Sequence, residues 1–444
     1  MPMTPEEEVS AILERIKEDK VEFVRLQFSD IQGQPKNVAI PAKQVKKALT
    51  DGISFDGSSI EGFARIEESD MVLRPDPATY ALLPWREHST VARFICDVYL
   101  PNGRPFEGDP RYILKQTIAE AAKMGYVFNT GPELEFFLFK MVNGLPSLEF
   151  QDTGGYFDLA PTDLAEDVRS KIVVALTEMG FDIEASHHEV AESQHEIDFK
   201  YGDALSTADN VVTFRFATKT IALMNGLHAT FMAKPIYGIC GSGMHINASL
   251  FKDGKNAFFE PEAPLELSET SLQFIAGVLD HVDAITRLAN PTINSYKRLV
   301  PGYEAPVYIS WSASNRTALI RVPSPRGNST RVELRSPDPT CNPYLTFAAV
   351  LAAGLDGIKT GKSAPASVDN NIFAMTDVER AQAHIDTLPG DLHAANQALL
   401  DDRLICETLG EHVVEGLTNA ANIEWNAYRT MVHPWEVEQY LKRY

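Results

Sequence analysis

The stretch GPELEFFLF, residues 131–139, decides how the larger part of this chain folds. Alternate residues of an extended strand point to opposite faces, so Glu133 and Glu135 share one face and Leu134 and Phe136 share the other. An edge strand with one solvated face explains this pattern. A carboxylate pair that binds a divalent cation in a half-buried strand explains it equally well. The stretch therefore predicts a strand and leaves both interpretations open.

The next polar cluster is HHEVAESQHEIDF, residues 187–199. It lacks the HExxH pattern of zinc proteases, because Glu192 stands where the second histidine is required. Glu189 and Glu196 flank a turn, and Gln194, Glu196 and Asp198 would share a strand face. Oxygen ligands of this kind favour Mg²⁺ or Mn²⁺ over Zn²⁺.

Two more clusters follow. In GSGMHINAS, residues 241–249, the glycines permit close approach to a ligand, and His245, Asn247 and Ser249 share a strand face. A single histidine is more often a core residue than a ligand. In RVELR, residues 331–335, the three charged side chains form either a weak surface ion-pair ladder or a metal carboxylate flanked by guanidiniums.

The segment 357–363, GIKTGKS, resembles a phosphate-binding loop. It has one residue too few between its glycines and follows a helical pattern instead of a strand. We therefore predict the end of a helix here.

Turn signals between residues 101 and 109 divide the chain. Before them we predict a helix capped at Thr4, strands over 21–28, 38–40 and 91–99, and a loop over 55–63. After them Asp109 caps a helix that ends near Gly125. The prediction is an α+β protein with a small N-terminal domain, residues 1–105, and a large antiparallel-rich domain, residues 106–444.

Composition excludes several classes of function. The 444 residues include 40 Lys+Arg and 61 Asp+Glu, a formal charge of −21, which argues against nucleic acid as the main ligand. No apolar run is long enough to span a membrane, and the acidic N-terminus lacks the features of a signal peptide. Four cysteines without a CxxC pair fit a reducing compartment. We expect a cytoplasmic protein without a membrane partner.

Taken together, the motifs resemble those of type I glutamine synthetase. They occur in the family's order: FDGSSIEGF (55–63), GPELEFFLF (131–139), GSGMH (241–245), NPTINSYKRLVPGYEAP (290–306) and RVELRSPD (331–338). The resemblance runs from about residue 20 to the C-terminus and is strongest to the shorter bacterial subgroup that lacks the adenylylated tyrosine. It implies a β-grasp-like N-terminal domain and a catalytic domain with a curved antiparallel sheet and flanking helices. It also implies a dodecamer of two hexameric rings, with active sites at subunit interfaces.

The activity implied is ATP-dependent conversion of glutamate to γ-glutamyl phosphate, from which ammonia displaces phosphate to give glutamine. The resemblance assigns two or more Mg²⁺ or Mn²⁺ ions to each site, one held by Glu135, His245 and Glu333 and another by Glu133, Glu189 and Glu196. Glutamate would contact Gly241, Arg298, Glu304, Arg316 and Arg335. ATP would contact Glu184, Ser249, Arg316 and Arg321. Catalysis would use Asp56 to bind ammonium and take its proton, Glu304 in a flap over the site, and Arg316.

Three further positions bear on substrate binding and regulation. Cys240 stands where many relatives carry asparagine, so only a backbone contact with glutamate is expected there. Arg65 matches an arginine that mediates feedback inhibition by glutamine, although a surface ion pair with Glu67 or Glu68 is an alternative. Phe373 occupies the adenylylation position and has no hydroxyl.

Two other functions stay open at this point. A γ-glutamyl-amine ligase would use another amine, which the intact Asp56 disfavours. A non-catalytic scaffold or regulator is disfavoured by the complete ligand set. Relatives of this subgroup bind nitrogen-responsive transcription regulators, so such a regulator is a candidate partner.

Overall fold

Two β-sheets, one within residues 23–99 and one within residues 127–334, organise the chain. The computed structural model describes residues 4–58, 60, 70–86, 88–303 and 305–444. Helices and sheets are mixed throughout, as the α+β prediction requires.

The first sheet has the strand order β2-β1-β6-β4-β3, with β5 paired to β6. The central β1–β6 pair is parallel and the others are antiparallel. Val24, Leu26 and Phe28 are buried on one face of β1, which confirms that the segment predicted over 21–28 forms a strand. The strands are β1 Phe23–Ser29, β2 Pro35–Pro41, β3 Ile53–Asp56, β4 Asp70–Pro75, β5 Ala81–Leu82 and β6 Val91–Tyr99.

The loop predicted over 55–63 is partly wrong. Phe55 and Asp56 are the last residues of β3, where they pair with Met71 and Asp70 of β4. Hydrogen bonding of β3 to β4 extends the strand by two residues. The turn-forming residues of this segment do not reveal that pairing, because it depends on a distant strand. Ser59 and residues 61–63 lie outside the described residues.

The second sheet runs β15-β16-β17-β13-β7-β10-β9, and the long strand β7 also pairs with β8, β11 and β12. Its pairs are antiparallel except β15–β16. The strands are β7 Val127–Val142, β8 Leu145–Phe150, β9 Ile183–His188, β10 Gln194–Phe199, β11 Gly202–Asp203, β12 Leu227–Thr230, β13 Met244–Lys252, β14 Lys255–Asn256, β15 Trp311–Ser312, β16 Ile320–Arg321 and β17 Val332–Leu334.

The two faces of β7 differ as predicted. Leu134 and Phe136 are fully buried in the main core, on the face that packs against the helices, whereas Glu133 and Glu135 on the opposite face are only partly buried. Burial of one apolar face holds the strand in register, because a slip of one residue would drive the carboxylates into the core.

The helices cover both sheets, and their caps follow the sequence signals. Thr4 and Glu7 form a reciprocal capping box, Asp109 caps α3, and α9 ends at Gly361, whose φ of 64° explains the segment 357–363 as a helix C-terminus.

Among the described residues, no helix combines the length and apolar character needed to cross a bilayer. The helices are α1 Pro5–Glu18, α2 Val45–Thr50, α3 Pro110–Lys123, α4 Glu166–Glu178, α5 Ala204–Met224, α6 Glu269–Asp280, α7 Val282–Ala289, α8 Ser295–Arg298, α9 Pro343–Thr360, α10 Asp377–Gln382, α11 Leu392–Asp401, α12 Arg403–Leu409, α13 Glu411–Arg429 and α14 Pro434–Tyr440.

A buried arginine joins the two parts of the chain. Arg111, near the start of α3, lies 2.6 Å from Asp97 of β6, 2.7 Å from Asp76 and 2.9 Å from Asp209 of α5. Three carboxylates around one guanidinium compensate its desolvation. This contact fixes the first sheet against the body that carries the second.

Candidate active site

Strand register brings the predicted ligands to one face of the second sheet. His245 of β13 pairs with Glu133 of β7, and Glu196 of β10 pairs with Glu135 of β7. Glu333 of β17 pairs with Asn247, two residues beyond His245 on the same face of β13. Residues more than a hundred positions apart along the chain are neighbours here.

The first cluster consists of Glu133, His245 and Glu333. The Nδ1 atom of His245 lies 3.3 Å from Glu133 Oε2 and 3.7 Å from Glu333 Oε1. One ligand atom from each residue fits within 4.8 Å of the others, a spacing that could hold a metal ion. Arg321 at 2.9 Å and Arg335 at 3.1 Å hold the Glu333 carboxylate.

The second cluster consists of Glu135, Glu189 and Glu196. Glu135 accepts hydrogen bonds from Gln194 Nε2 at 3.0 Å and from the Gly243 backbone at 2.9 Å. Glu189 follows β9, and its backbone N–H donates to the Gln194 carbonyl at 2.7 Å, which closes the β9–β10 hairpin. Both Glu135 and Glu189 line one small cavity.

This grouping of side chains differs from the expected one. The resemblance placed Glu135 with His245 and Glu333, and Glu133 with Glu189 and Glu196. The structure exchanges the two strand residues, because the β7–β13 register sets Glu133 against His245 while the β7–β10 register sets Glu135 against Glu196. The six residues are the same, and only their division changes.

The second cluster carries more negative charge than its protein partners compensate. Burial and the neighbouring Glu189 carboxylate raise the pKa of Glu135 to about 7. Burial, Asp198 and Glu135 raise the pKa of Glu196 to about 12. Burial acts in the same direction on Glu133, but hydrogen bonds from His245 and Asn247 outweigh it and lower its pKa. Crowded carboxylates of this kind are stabilised by bound divalent cations.

Residues of the two clusters line two cavities. The larger, about 290 Å³, contains Glu133 and Asp198 in its wall together with the predicted nucleotide contacts Glu184 and Ser249. The smaller, about 40 Å³, contains Glu135 and Glu189 together with the predicted glutamate contacts Gly241, Arg298 and Arg335. The two strand glutamates therefore line different cavities, Glu133 the larger one and Glu135 the smaller one.

The glutamate-side residues are held by tight backbone packing. A side chain at Gly241 would place its Cβ 2.2 Å from the Ala233 carbonyl oxygen, so only glycine fits. Buried Arg298 donates to the carbonyl oxygens of Ser336, at 2.7 Å, and Arg335, at 3.2 Å. The backbone thus fixes the guanidinium beside the smaller cavity.

The remaining predicted residues lie farther out. Arg316 is exposed, and its carbonyl accepts a hydrogen bond from Arg335. Asp56 is exposed on the first sheet, where its carboxylate accepts from the Ser58 N–H at 2.8 Å, whereas both cavities are lined by residues from 129 to 335. Arg65 and Glu304 lie outside the described residues.

Several site residues carried no assigned role at the sequence level. Asn247 donates to Glu133 Oε1 at 2.9 Å and accepts from Arg331 Nε at 2.8 Å, so it links that arginine to the first cluster. The sequence signal for Asn247 was its alternation with His245 and Ser249, which predicted that all three share one strand face. Tyr201 lines the larger cavity, and no pattern in the sequence distinguishes it from other tyrosines.

A buried network supports the β9–β10 hairpin from behind. Asp152 accepts from His188 Nε2 and from the Ser193 N–H, both at 3.0 Å. Arg169 Nη1 lies 3.0 Å from His195 Nδ1. Because arginine can only donate, the His195 proton resides on Nε2, which disfavours metal binding by Asp152, His188 and His195 despite their proximity.

Comparison with known proteins places these features in a family context. The family model described as "Glutamine synthetase, catalytic domain" matches residues 107–440, and "Glutamine synthetase, beta-Grasp domain" matches residues 20–101. The glutamine synthetase of Clostridium saccharobutylicum is 57% identical over 435 residues, 98% of each chain. That of Methanosarcina mazei is 56% identical over 432 residues, 97% of each chain.

Solved structures agree with this similarity. The structure described as "GmaS/ADP complex-Conformation 1" superimposes with a TM-score of 0.89 at 31% identity, over 97% of this chain and 99% of the other. The structure described as "Apo GmaS without ligand" gives 0.87 at 32% identity, over the same shares of the two chains. The predicted α+β fold with a β-grasp-like N-terminal domain is confirmed.

Proposed function

The chain belongs to the glutamine synthetase family and makes glutamine from glutamate, ammonia and ATP, and on this premise we propose how its residues divide the reaction. The observation that carries the proposal is the pair of carboxylate clusters on one sheet face, each beside a cavity. The family uses divalent metal ions and ATP, and the donor sets fit such ions.

We assign one cation to Glu133, His245 and Glu333 and a second to Glu135, Glu189 and Glu196. The first set has one imidazole and two carboxylates within 4.8 Å, and the second has three carboxylates whose mutual repulsion calls for a positive charge. Divalent ions at these positions neutralise the negative charge that develops during phosphoryl transfer. Mg²⁺ and Mn²⁺ both suit oxygen-rich donors.

The smaller cavity is the proposed glutamate site. Arg298 and Arg335 supply positive charge for the substrate carboxylates and the transferred phosphoryl group, and Gly241 permits a backbone contact. Cys240 lines the same cavity, next to Gly241, where its thiol replaces an amide side chain. Arg316 and Glu304 are proposed to complete the glutamate site.

The larger cavity is the proposed nucleotide site. Glu184 and Ser249 lie in its wall with Tyr201, whose ring is suited to pack against a base. Arg316 and Arg321 are assigned to the ATP phosphates, the latter from its position beside Glu333. ADP in a structurally similar protein supports a nucleotide in this fold.

Asp56 is proposed to complete the site of a neighbouring subunit. It lies on the first sheet, away from both cavities of its own chain, so a second copy must supply it if it binds ammonium. An anionic carboxylate would bind NH₄⁺ and accept its proton before the amine attacks. This geometry favours a ring oligomer, and we propose the dodecamer of two hexameric rings.

The domain division is proposed at residue 105, between the two sheets, with the domains 1–105 and 106–444. Cytoplasmic location is proposed from the four scattered cysteines, which form no CxxC pair. Regulation is proposed to act without adenylylation, since Phe373 offers no hydroxyl, through Arg65 and glutamine. A nitrogen-responsive transcription regulator is a further proposed partner.

One assay tests the function directly. The protein is incubated with glutamate, ATP and Mg²⁺, and glutamine and phosphate are measured with ammonium, ethylamine or putrescine as the amine. Ammonium should be preferred. Faster product formation with ethylamine or putrescine would identify a γ-glutamyl-amine ligase, and no turnover with any amine would favour a scaffold.

A further inference from the structure

The segment 335–341 connects β17 to α9, and two buried arginines hold its carbonyl groups. The first, Arg298, donates to the carbonyl oxygen of Ser336 at 2.7 Å and to those of Pro337 and Arg335 at 3.2 Å each. Because buried carbonyl groups need donors, these hydrogen bonds fix the segment as well as the guanidinium. Arg298 and Arg335 both line the smaller cavity, so the position of the segment sets the position of two proposed glutamate contacts.

The second arginine, Arg215 of α5, holds the other end of the segment. Its Nη1 donates to the carbonyl oxygens of Pro339 and Cys341, both at 3.0 Å, and its Nη2 donates to the Gly33 carbonyl at 3.0 Å. Arg215 is only 6% exposed, and no carboxylate of the described residues forms an ion pair with it. Three carbonyl oxygens therefore compensate the desolvation of this buried charge.

The bond to Gly33 connects the segment to the N-terminal domain. Gly33 lies in the turn between β1 and β2 with a φ of 75°, and a Cβ at this position would lie 2.8 Å from Asn342 Cα. Asn342 Nδ2 donates to the Asp30 carbonyl at 3.2 Å and to the Ile31 carbonyl at 3.1 Å. The turn thus packs directly on the end of the segment, and Arg215 bonds to both.

We propose that Arg215 is a positioning residue for glutamate. It holds the segment 335–341 against the N-terminal domain, and the segment holds Arg298 and Arg335 at the smaller cavity. The inference rests on the proposed placement of glutamate in that cavity. Arg215 lines neither of the two site cavities, but a displacement of about 1 Å at a substrate contact can reduce the rate about 100-fold. The proposed nucleotide contacts on β9 and β13 should be affected much less.

Steady-state kinetics with glutamate, ATP, Mg²⁺ and ammonium test this role. Arg215→Met removes all three hydrogen bonds and should raise the KM for glutamate at least about tenfold, whereas the KM for ATP should change less than about 2-fold. Arg215→Lys keeps the charge and three N–H donors, so its KM for glutamate should stay within about 3-fold of the wild-type value. A smaller fraction of folded enzyme lowers the apparent kcat and leaves both KM values unchanged, so the KM for glutamate separates positioning from stability.

The matched control is Arg93→Met. Arg93 is also buried, at 5% exposure, and it donates to the Thr79 carbonyl at 2.8 Å and to Thr213 Oγ1 at 3.4 Å, with no bond to the segment 335–341. This variant should lower the unfolding temperature and leave the KM for glutamate unchanged.

If Arg215→Met does not fold, Arg215→Gln decides the matter, because its uncharged amide can serve at most two of the three carbonyl oxygens and should raise the KM for glutamate more than about 3-fold. A wild-type KM for glutamate in the variant that folds, or equal increases in the KM values for glutamate and ATP, would overturn the inference. An equal increase in Arg93→Met would overturn it as well. Wild-type protein that makes no glutamine would instead overturn the proposed function.

Discussion

Glu133 Oε2 and His245 Nδ1 face each other at 3.3 Å across the β7–β13 pair, although 112 positions separate the residues in the chain. The same imidazole nitrogen lies 3.7 Å from Glu333. This relationship places Glu133, and not Glu135, beside the histidine, and it leads to the first prediction.

Glu133→Gln and His245→Gln should weaken the same class of Mn²⁺ site, whereas Glu135→Gln should weaken the other class. Each loss removes a ligand and should cost at least tenfold in affinity, about 1.4 kcal/mol. Mn²⁺ titration followed by electron paramagnetic resonance separates the two classes. Glu149→Gln, an exposed change on β8, is the control. If His245→Gln and Glu135→Gln weakened the same class of Mn²⁺ site, the assignment would be contradicted.

Asp56→Ala should raise the KM for ammonium far more than the Kd for ATP, because the carboxylate is proposed to bind NH₄⁺. Steady-state kinetics and nucleotide titration on one preparation measure both. Mixing inactive Asp56→Ala with inactive Glu333→Ala subunits should restore some activity, since one hybrid interface contains neither defect. Mixing Glu133→Ala with Glu333→Ala subunits should not restore activity, because one and the same subunit supplies both residues to each site. Equal recovery in the two mixtures would exclude a shared site.

Arg65→Ala should weaken inhibition by glutamine roughly 5- to 150-fold while turnover is nearly intact. A cation only nine positions from Asp56 in the sequence can couple product occupancy to the position of that segment. Glutamine inhibition curves decide the matter, with Arg104→Ala, an exposed change on the same domain, as control. Coincident curves for wild type and Arg65→Ala would remove this residue from regulation.

Asp152→Ala should destabilise the β9–β10 hairpin and thereby reduce Mn²⁺ affinity at Glu189 and Glu196. Asp152 holds both His188 and the Ser193 backbone, and removing one partner of a buried charged pair costs about 3–5 kcal/mol. Thermal unfolding and Mn²⁺ titration measure the two effects. Asp182→Asn, an exposed carboxylate before β9, is the control. Unaltered metal affinity would show that the network supports the fold alone.

A pH-dependent contribution to stability is expected at His281. Its Nδ1 lies 2.7 Å from Asp402 Oδ2, and this hydrogen bond, which outweighs burial, raises the pKa of the imidazole. A raised native pKa stabilises the fold fully below the unfolded value of about 6.5, and the stabilisation disappears as the pH rises through the native pKa.

His281→Asn should therefore lower the unfolding temperature more at about pH 6 than at about pH 9, with a loss of about 1.5–3 kcal/mol at the lower pH. Thermal unfolding at both pH values tests this. The exposed His384→Asn is the control. The same decrease at both pH values would show that the imidazole contributes by packing instead of charge.

Local patterns in the sequence determined one long strand, its two faces and several helix ends. The alternation in residues 131–139 identified β7 and its two faces, and Thr4, Asp109 and Gly361 marked helix ends, because strand faces and helix caps depend on residues only a few positions apart. The motifs, through their resemblance to a known family, identified all six residues of the two clusters.

Tertiary structure decided how those six residues are divided. Glu133 and Glu135 are chemically identical and lie on one strand face, so nothing local distinguishes them. Only the registers of β7 with β13 and β10 set Glu133 against His245 and Glu135 against Glu196. The hydrogen bonds of Arg215 to Gly33 and Pro339 likewise join segments 182 and 124 positions apart in the chain. Such pairings are determined by long-range packing, since hydrogen-bonded registers and buried contacts depend on the whole folded chain.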